Sequence, residues 1–379
     1  MAAKKKTPRL KVGIISANWG VQAHLPAWRA LDTEVEVVAI CTAHQETAEA
    51  AARASNIERA YWDYRAMCAD PDLDIIDCGT RPSLRYDMVM SALRNDKHVY
   101  NGIPFAVDLP RARDMLALQR DRKKVGVADA FIQAIPAVAH MKELIEDGFL
   151  GELYFVSSYF NQQLFNRPKR NFPYNWFADQ AYGANALRNL GSHMLHPMVH
   201  LFGEVEEVVG QADICRKEWK FDDGGTIRPQ VIDTSTAMLR FKNGGMGQIA
   251  TSWVAADGPG WMLEAFGSHG RLLAYAPSFP LPATTKLFAG AVGASYTPIA
   301  KEVDVPEKLS KVPGAKLDAN AHRSPIMPMA RVFADMVQAI RLGGDGAPSF
   351  AQACHVQRIV EGIHQSLETR SWVNMRDVR

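Results

Sequence analysis

Residues 12–24 read VGIISANWGVQAH and decide the fold of the first part of the chain. An apolar run ends in a small polar turn, and a segment that favours a helix follows it. This order is typical of the first strand, turn and helix of a dinucleotide-binding domain, where glycines let the backbone approach a pyrophosphate. Counted back from His24, the three positions of the G-x-G-x-x-G pattern hold Ser16, Asn18 and Val21. The sequence leaves open a changed cofactor turn and a relict turn without a ligand.

The alternation of strands and helices continues to about residue 130. Apolar runs predict strands at 10–15, 35–41, 75–78, 98–100 and 125–128. Helical patterns lie between them at 26–31, 46–55, 86–94 and 109–121. Such βαβ units form a parallel sheet that is covered on both faces. Residues 1–130 are therefore predicted to form a doubly wound Rossmann domain in an α/β protein.

The pattern changes after residue 130. A helix at 135–147 is followed by strands with two-residue alternation at 153–160, 205–213, 234–241, 246–254, 261–266 and 271–274. These strands predict a large, open and mainly antiparallel sheet. Residues 276–325 resemble a long connection, and helices are expected at 329–340 and 354–368. Residues 131–379 are predicted to form a second α/β domain for substrate binding and oligomerisation.

Composition excludes several classes of partner. The 379 residues carry a formal net charge of +2, which gives no reason to expect nucleic acid. No apolar stretch of about twenty residues predicts a membrane span. The start MAAKKKTPR has no apolar run behind it, and the five cysteines are scattered. Both features favour a cytoplasmic protein with free thiols.

Several longer strings resemble one known family. They include AHLPAWRAL, SALRNDKHVY, MKELIEDGFLGELYFV and GSHMLHPMVHLFGEV, and they resemble the glucose–fructose oxidoreductase/inositol dehydrogenase (Gfo/Idh/MocA) family. The resemblance implies an N-terminal Rossmann domain that binds NAD or NADP. It also implies a C-terminal domain whose open sheet supports substrate binding and a homodimer or homotetramer.

Three departures from the family pattern stand out. The glycine turn is changed, and Gly102-Ile103-Pro104 replaces the family's E-K-P, so its catalytic lysine is absent. The D-x-x-x-H start of a helix becomes Asn189 with His193 retained. An enzyme is favoured by His193. A catalytically silent regulatory protein that senses dinucleotides or sugars, like the galactose-regulon repressor, is favoured by Ile103 and Asn189.

The resemblance and the turn chemistry suggest a set of cofactor contacts. Ser16 and Asn18 can donate hydrogen bonds to phosphate, asparagine tolerates positive φ, and Gly20 offers one flexible position. No carboxylate follows the second strand, so NADP is tolerated beside NAD. The expected contacts are Ser16, Asn18, Trp19, Thr42, His44, Thr80, Arg81 and Asn101.

His193 is the candidate general base. Oxidation of an alcohol needs a group that takes the hydroxyl proton while hydride leaves, and histidine suits this role. Asn189 is expected to orient the substrate hydroxyl or the imidazole. The competing interpretation is a core histidine at a helix start. His193, His196 and His200 also have a zinc-like spacing, but Pro197 interrupts the run, and no metal is expected.

A cationic loop points to an anionic substrate. Arg167, Lys169 and Arg170, with Arg188, can bind a carboxylate, although a solvated loop explains the same residues. Tyr174, Trp176 and Phe177 are candidates to wall a ring, or to form core, and His196 is a further candidate substrate contact. The predicted reaction oxidises a secondary alcohol of a cyclic, carboxylate-bearing diol, such as an aromatic dihydrodiol carboxylate or a sugar acid. Decarboxylation can follow where the carboxylate is β to the new ketone.

Overall fold

A computed structural model describes residues 8–171, 175–293 and 300–378. The basic start of the chain and Tyr174 lie outside the described residues. The chain divides into two compact units. The first comprises residues 8–102, 115–129 and 311–350, and the second comprises residues 103–114, 130–310 and 351–378.

The first unit contains a six-stranded parallel sheet. The strand order is β3-β2-β1-β4-β5-β6, which is the order of a doubly wound dinucleotide-binding sheet. The strands are β1 Leu10–Ile15, β2 Val35–Cys41, β3 Arg59–Tyr61, β4 Ile75–Cys78, β5 His98–Asn101 and β6 Gly126–Ala128. The helices in this region are α1 Leu25–Arg29, α2 Gln45–Ser55, α3 Tyr64–Ala69, α4 Pro82–Arg94 and α5 Leu109–Asp121. The Rossmann fold is thereby confirmed, whereas β3 and α3 were not predicted because three and six residues are too short to show a period.

The second unit is built on a nine-stranded sheet. Its order is β16-β15-β14-β13-β7-β12-β11-β8-β17. Only β7 and β12 pair in parallel among these described strands, so the predicted open and mainly antiparallel sheet is confirmed. The strands are β7 Leu153–Asn161, β8 Val205–Asp213, β9 Trp219–Lys220, β10 Thr226–Ile227, β11 Thr234–Phe241, β12 Met246–Ser252, β13 Gly260–Gly267, β14 Gly270–Ala276, β15 Lys286–Ala291, β16 Lys301–Glu302 and β17 Val373–Asn374. β9 and β10 form a separate ribbon.

Four longer helices complete the described structure. They are α6 Pro136–Glu146, α7 Ser192–Phe202, α8 Ile326–Leu342 and α9 Phe350–Thr369. α6, α8 and α9 overlap the predicted helices, and α7 carries His193. The predicted connection at 276–325 contains β15 and β16, which extend one edge of the large sheet.

α8 belongs to the first unit, although it follows the substrate domain in sequence. The Phe333 ring stacks on Trp28 with 3.7 Å between ring centroids and meets Tyr100 edge-on at 4.7 Å. The N–H of Ala128 donates to the Pro348 carbonyl at 2.8 Å. A single boundary at residue 130 is therefore wrong for residues 311–350. Aromatic packing between distant segments sets this boundary, and local sequence patterns do not report it.

Among the described residues, no helix combines the length and the apolar character that crossing a membrane requires.

Candidate active site

The turn after β1 is tightened by a side chain instead of a glycine. The Ser16 hydroxyl accepts hydrogen bonds from the backbone N–H groups of Asn18 and Gly20, at 3.3 and 3.4 Å. The Asn18 side chain accepts from Gln22 at 3.0 Å. Neither Asn18 nor Gly20 has positive φ. The tolerance of asparagine for positive φ is therefore not used here, and Ser16 stabilises the turn through local hydrogen bonds.

Gly20 is needed for close packing of the helix on the strand. A Cβ atom at this position would lie 2.8 Å from Ile14 Cγ2 and 2.9 Å from Ser16 Cβ. That close approach is the task of the third glycine of a dinucleotide-binding turn. The first helical turn, Gly20–His24, is a π-helical turn that closes with the Leu25 N–H on the Gly20 carbonyl.

This π-helical turn shifts the count of the glycine positions. A π turn holds more residues than an α turn, so a count that starts from Gly20 differs by one residue from the count back from His24. Counted from Gly20, the three positions hold Ile15, Ala17 and Gly20. Ala17 is small and exposed at the tip of the turn. The turn therefore keeps two small residues where a pyrophosphate approaches a helix N-terminus, and it fits a dinucleotide better than its sequence suggests.

The other predicted cofactor residues lie at the same edge of the parallel sheet. Thr42 follows β2, and its hydroxyl bonds the His44 carbonyl at 3.0 Å and the Thr47 hydroxyl at 2.6 Å. His44 is exposed. Thr80 and Arg81 follow β4 and precede α4, and Asn101 is buried at the end of β5. Since the carboxyl ends of parallel strands form the ligand-binding edge, these positions suit a cofactor. The Thr42 hydroxyl is engaged in shaping the start of α2.

Arg85 is a buried cation that sequence reasoning missed. Its Nη1 donates to the Thr80 carbonyl at 3.0 Å, and burial lowers the pKa of its guanidinium to about 10. A Cβ atom on Gly102 would lie 2.2 Å from this Nη1. A larger residue at position 102 is incompatible with this position of Arg85. Gly102 therefore leaves the space that the Arg85 guanidinium fills.

A buried polar network lies beneath the turn. His24 has no exposed surface, and its Nδ1 is 2.9 Å from Asp77 Oδ1. Its Nε2 is 3.3 Å from Asp129 Oδ2. Trp28 donates to Asp77 at 2.8 Å, and Tyr100 donates to Asp129 at 2.5 Å. In the sequence, His24, Asp77 and Asp129 are polar residues beside or within apolar segments, and that pattern was the available signal.

The two carboxylates keep the His24 imidazole protonated. Burial by itself lowers the pKa of this group, but the charge of Asp77 and hydrogen bonds with Asp129 and Asp77 outweigh burial and raise the pKa to about 10. Both ring nitrogens are then donors, which matches one carboxylate at each nitrogen.

In the second unit, His193 stands at the start of α7. A π-helical turn, Leu187–Gly191, leads into this helix and carries Asn189. The His193 side chain is 8% exposed and lies between aromatic rings, with centroids 5.9 Å from Phe131 and 6.3 Å from Phe279. Asn189 is partly exposed. His193 is thus packed among aromatic side chains and keeps only a small exposed surface.

His196 supports the helix from within the core. It is fully buried, and Gln352 donates to its Nδ1 and to its carbonyl oxygen, both at 3.1 Å. Burial, and then the charges of His193, His200 and His355, lower the His196 pKa to about 3. The expectation that His196 contacts substrate is therefore corrected, because its side chain has no solvent-exposed surface. Across the described ranges, no group of three or more His, Cys, Asp or Glu residues could hold a metal ion.

Two of the three arginines assigned to an anionic substrate, Arg170 and Arg188, are each held by a carboxylate of this chain. Arg188 Nη1 and Nη2 lie 2.5 and 2.9 Å from the two Glu361 oxygens, and both side chains are largely buried. Arg170 binds Asp223 at 2.8 and 3.1 Å on an exposed part of the surface. Arg167 is exposed. The local charge that sequence reasoning attributed to Arg188 and Arg170 is therefore largely neutralised.

Two of the aromatic candidates can be placed. Phe177 is buried and stacks on Trp253 with 5.2 Å between centroids. Trp176 is partly exposed and meets Phe177 edge-on at 4.2 Å. Phe177 is therefore core, whereas Trp176 keeps a face that a ligand can reach.

Comparison with known proteins agrees with this geometry. Residues 10–129 match a model described as an oxidoreductase family with an NAD-binding Rossmann fold, and residues 138–273 match the GFO/IDH/MocA C-terminal domain. The chain belongs to the Gfo/Idh/MocA oxidoreductase family. It is an NAD-dependent dehydrogenase of that family, and residues 10–129 form its NAD-binding Rossmann domain.

Several Gfo/Idh/MocA proteins align over most of their length. Levoglucosan dehydrogenase of Pseudarthrobacter phenanthrenivorans is 26% identical over 402 residues, which cover 97% of this chain and 99% of that protein. Human trans-1,2-dihydrobenzene-1,2-diol dehydrogenase is 26% identical over 350 residues, covering 88% and 94%. The crystal structure of an NAD binding oxidoreductase from Klebsiella pneumoniae has a TM-score of 0.85 at 25% identity, covering 97% and 99%.

Proposed function

We propose that this protein oxidises a secondary alcohol of an uncharged cyclic sugar or diol, with His193 as the general base. The observation that carries the proposal is the pairing of Arg188 with Glu361 and of Arg170 with Asp223. A substrate carboxylate would have to compete with these internal carboxylates. The two named relatives support the choice, since levoglucosan and dihydrobenzenediol are uncharged cyclic alcohols.

Proton transfer at His193 completes the reaction. A bound nicotinamide would supply the acceptor for the hydride of the carbinol carbon. The hydroxyl proton passes to the His193 imidazole as the carbonyl forms. Ile103 cannot take this proton, and Asn189 can only donate or accept a hydrogen bond. The rings of Phe131 and Phe279 exclude water from one side of the imidazole.

The experiment is a substrate panel followed by NADH absorbance. Levoglucosan, glucose, inositol and a trans-dihydrodiol form the uncharged set, and glucuronate is the carboxylate partner of glucose on the same ring. Turnover with uncharged members, and a higher KM for glucuronate than for glucose, is expected. Preference for glucuronate, lost in Arg167→Ala, would instead support the anionic substrate with its cation at exposed Arg167. NAD binding without turnover of any compound would support a regulatory protein.

We also propose that the chain forms a homodimer or homotetramer through the open face of the large sheet. Met238 on β11 and Met246 on β12 are each more than half exposed, and the strand register places both on one face of the sheet. Exposed apolar residues clustered on a sheet commonly mark a protein contact. Light scattering of the wild type and of Met238→Glu tests this, and a monomeric wild type at micromolar concentration would contradict it.

A further inference from the structure

The buried network beneath the cofactor turn reaches the surface at one residue. Trp19 lies on the turn between β1 and the first helix and is partly exposed. Its Nε1 donates to Asp129 Oδ2 at 3.3 Å. The same oxygen lies 3.3 Å from His24 Nε2. One carboxylate oxygen thus joins a surface indole to a buried imidazolium.

Asp129 is itself fixed from two further directions. Tyr100, which is fully buried, donates to the other oxygen of Asp129 at 2.5 Å. The Asp129 N–H donates to the Asn101 carbonyl at 2.8 Å. The carboxylate therefore has little freedom to move, and a hydrogen bond to such a charged, fixed group orients its partner strongly.

The network also holds the strands that flank the turn. His24 is anchored to Asp77 on β4, and a Cβ atom on Gly79 would lie 3.4 Å from its ring and 3.3 Å from Ser16 Cβ. β1 and β4 are adjacent in the sheet, and the strand order reverses between them. The crevice outside the carboxyl ends at such a reversal is where an open α/β sheet binds its ligand.

We infer that Asp129 is a positioning residue for the dinucleotide, and that it acts by fixing the Trp19 indole beside the turn. Trp19 then presents a fixed aromatic surface and holds the turn in the conformation that accepts the cofactor. This role rests on the NAD-dependent function, and it adds Asp129 and Trp19 as residues that set the affinity of the protein for the dinucleotide. The raised pKa of His24 supports it, because a protonated imidazole is a charged donor beside the Asp129 oxygen that accepts from Trp19.

The chain provides a matched pair of variants for the test. Trp19→Phe removes the N–H that Asp129 accepts but keeps a ring on the turn. Trp28→Phe removes the N–H that Asp77 accepts at 2.8 Å, in the same network but fully buried and away from the turn. NADH affinity is measured by calorimetry and the unfolding midpoint by calorimetric scanning, with the wild type measured first.

Trp19→Phe should weaken NADH binding about tenfold, the scale of a lost hydrogen bond to a charged group, with little change in unfolding midpoint. Trp28→Phe should lower the unfolding midpoint and leave the NADH Kd within about twofold. The double variant Trp19→Phe/Asp129→Asn should have an NADH affinity equal to that of the weaker-binding single variant, because both changes remove the same hydrogen bond.

Unchanged NADH affinity in Trp19→Phe overturns the inference, as does equal weakening by Trp28→Phe. Failure of the wild type to bind NADH would reject the NAD-dependent function itself, which separates the two failures.

Discussion

The guanidinium of Arg188 and the carboxylate of Glu361 form a two-point ion pair, although 173 residues separate them in the chain. The pair lies on the π-helical turn before α7 and on α9, and both side chains are about 15% exposed. A second donor, Gln357, bonds the same carboxylate at 2.6 Å. Arg188 therefore ties the π-helical turn Leu187–Gly191, which leads into α7 and His193, to α9.

Arg188→Ala should reduce the free energy of unfolding by about 3 kcal/mol, because it leaves a buried carboxylate without its counter-charge. Denaturant unfolding measures this change. Arg188→Met with Glu361→Leu should recover much of the stability, since an apolar pair of similar size leaves no buried charge. Arg170→Ala is the exposed control and should unfold nearly as the wild type does. A stable Arg188→Ala whose only defect is a raised KM for sugar acids would show that Arg188 binds substrate.

His193→Ala should lower turnover by about a hundredfold to ten-thousandfold, the usual contribution of a general base, and leave NADH affinity nearly unchanged. His193→Asn should behave alike, because asparagine keeps hydrogen bonding without proton transfer. Steady-state kinetics with the best substrate of the panel measure both. His200→Asn, further along the same helix, is the control and should retain turnover. Near-normal turnover in His193→Ala would place the base elsewhere.

Gly20→Ala and Val21→Gly distinguish the two ways of counting the glycine turn. The added Cβ of Gly20→Ala meets Ile14 and Ser16 below 3.0 Å, so the helix must move away from β1, at about 1–3 kcal/mol of stability and with weaker NADH binding. Val21→Gly restores a glycine at the position counted from His24. It should not improve NADH affinity, and it should lose roughly 1 kcal/mol of helix stability. Tighter NADH binding by Val21→Gly would support the count from His24.

Stability should fall as the solution becomes basic, because of His24. Its pKa is raised in the folded protein from 6.5 to about 10, so its contribution is complete below pH 6.5 and is lost as the pH rises towards 10. The slope is about 1.4 kcal/mol per pH unit within that window. Unfolding of the wild type and of His24→Gln at several pH values checks this. Equal slopes above pH 7 in both proteins would show that His24 is not protonated in the fold.

Stability should also fall as the solution becomes acidic, because other histidines are buried in the neutral form. Burial is the first cause of pKa values lowered to about 3 for His196 and His364, and to about 4 for His98, His200 and His355. The unfolded chain takes up these protons below about pH 6.5, so stability present above that pH is lost towards pH 4. His200→Gln should make the acid slope shallower. A pH-independent unfolding midpoint between 7 and 5 would contradict this.

Local patterns were sufficient for much of this protein. The apolar runs of β1, β2 and β4 and the two-residue alternation of β8 and β11 predicted both sheets, because side-chain period and burial are properties of a few consecutive residues. The position of His193 at the start of α7 followed from a family string. These features need no knowledge of what lies across the fold.

Only the tertiary structure decided the chemistry around those elements. The partners of Arg188 and Arg170 lie 173 and 53 residues away, so their charge could not be judged from the loop that contains them. The π-helical turn at Gly20–His24 and the close packing of Gly20 on Ile14 appear only in the fold. His24, Asp77 and Asp129 come from three separate segments and meet only in the fold. Sequence thus determined where strands and helices form, whereas charge neutralisation and turn register depend on long-range contacts that no local pattern encodes.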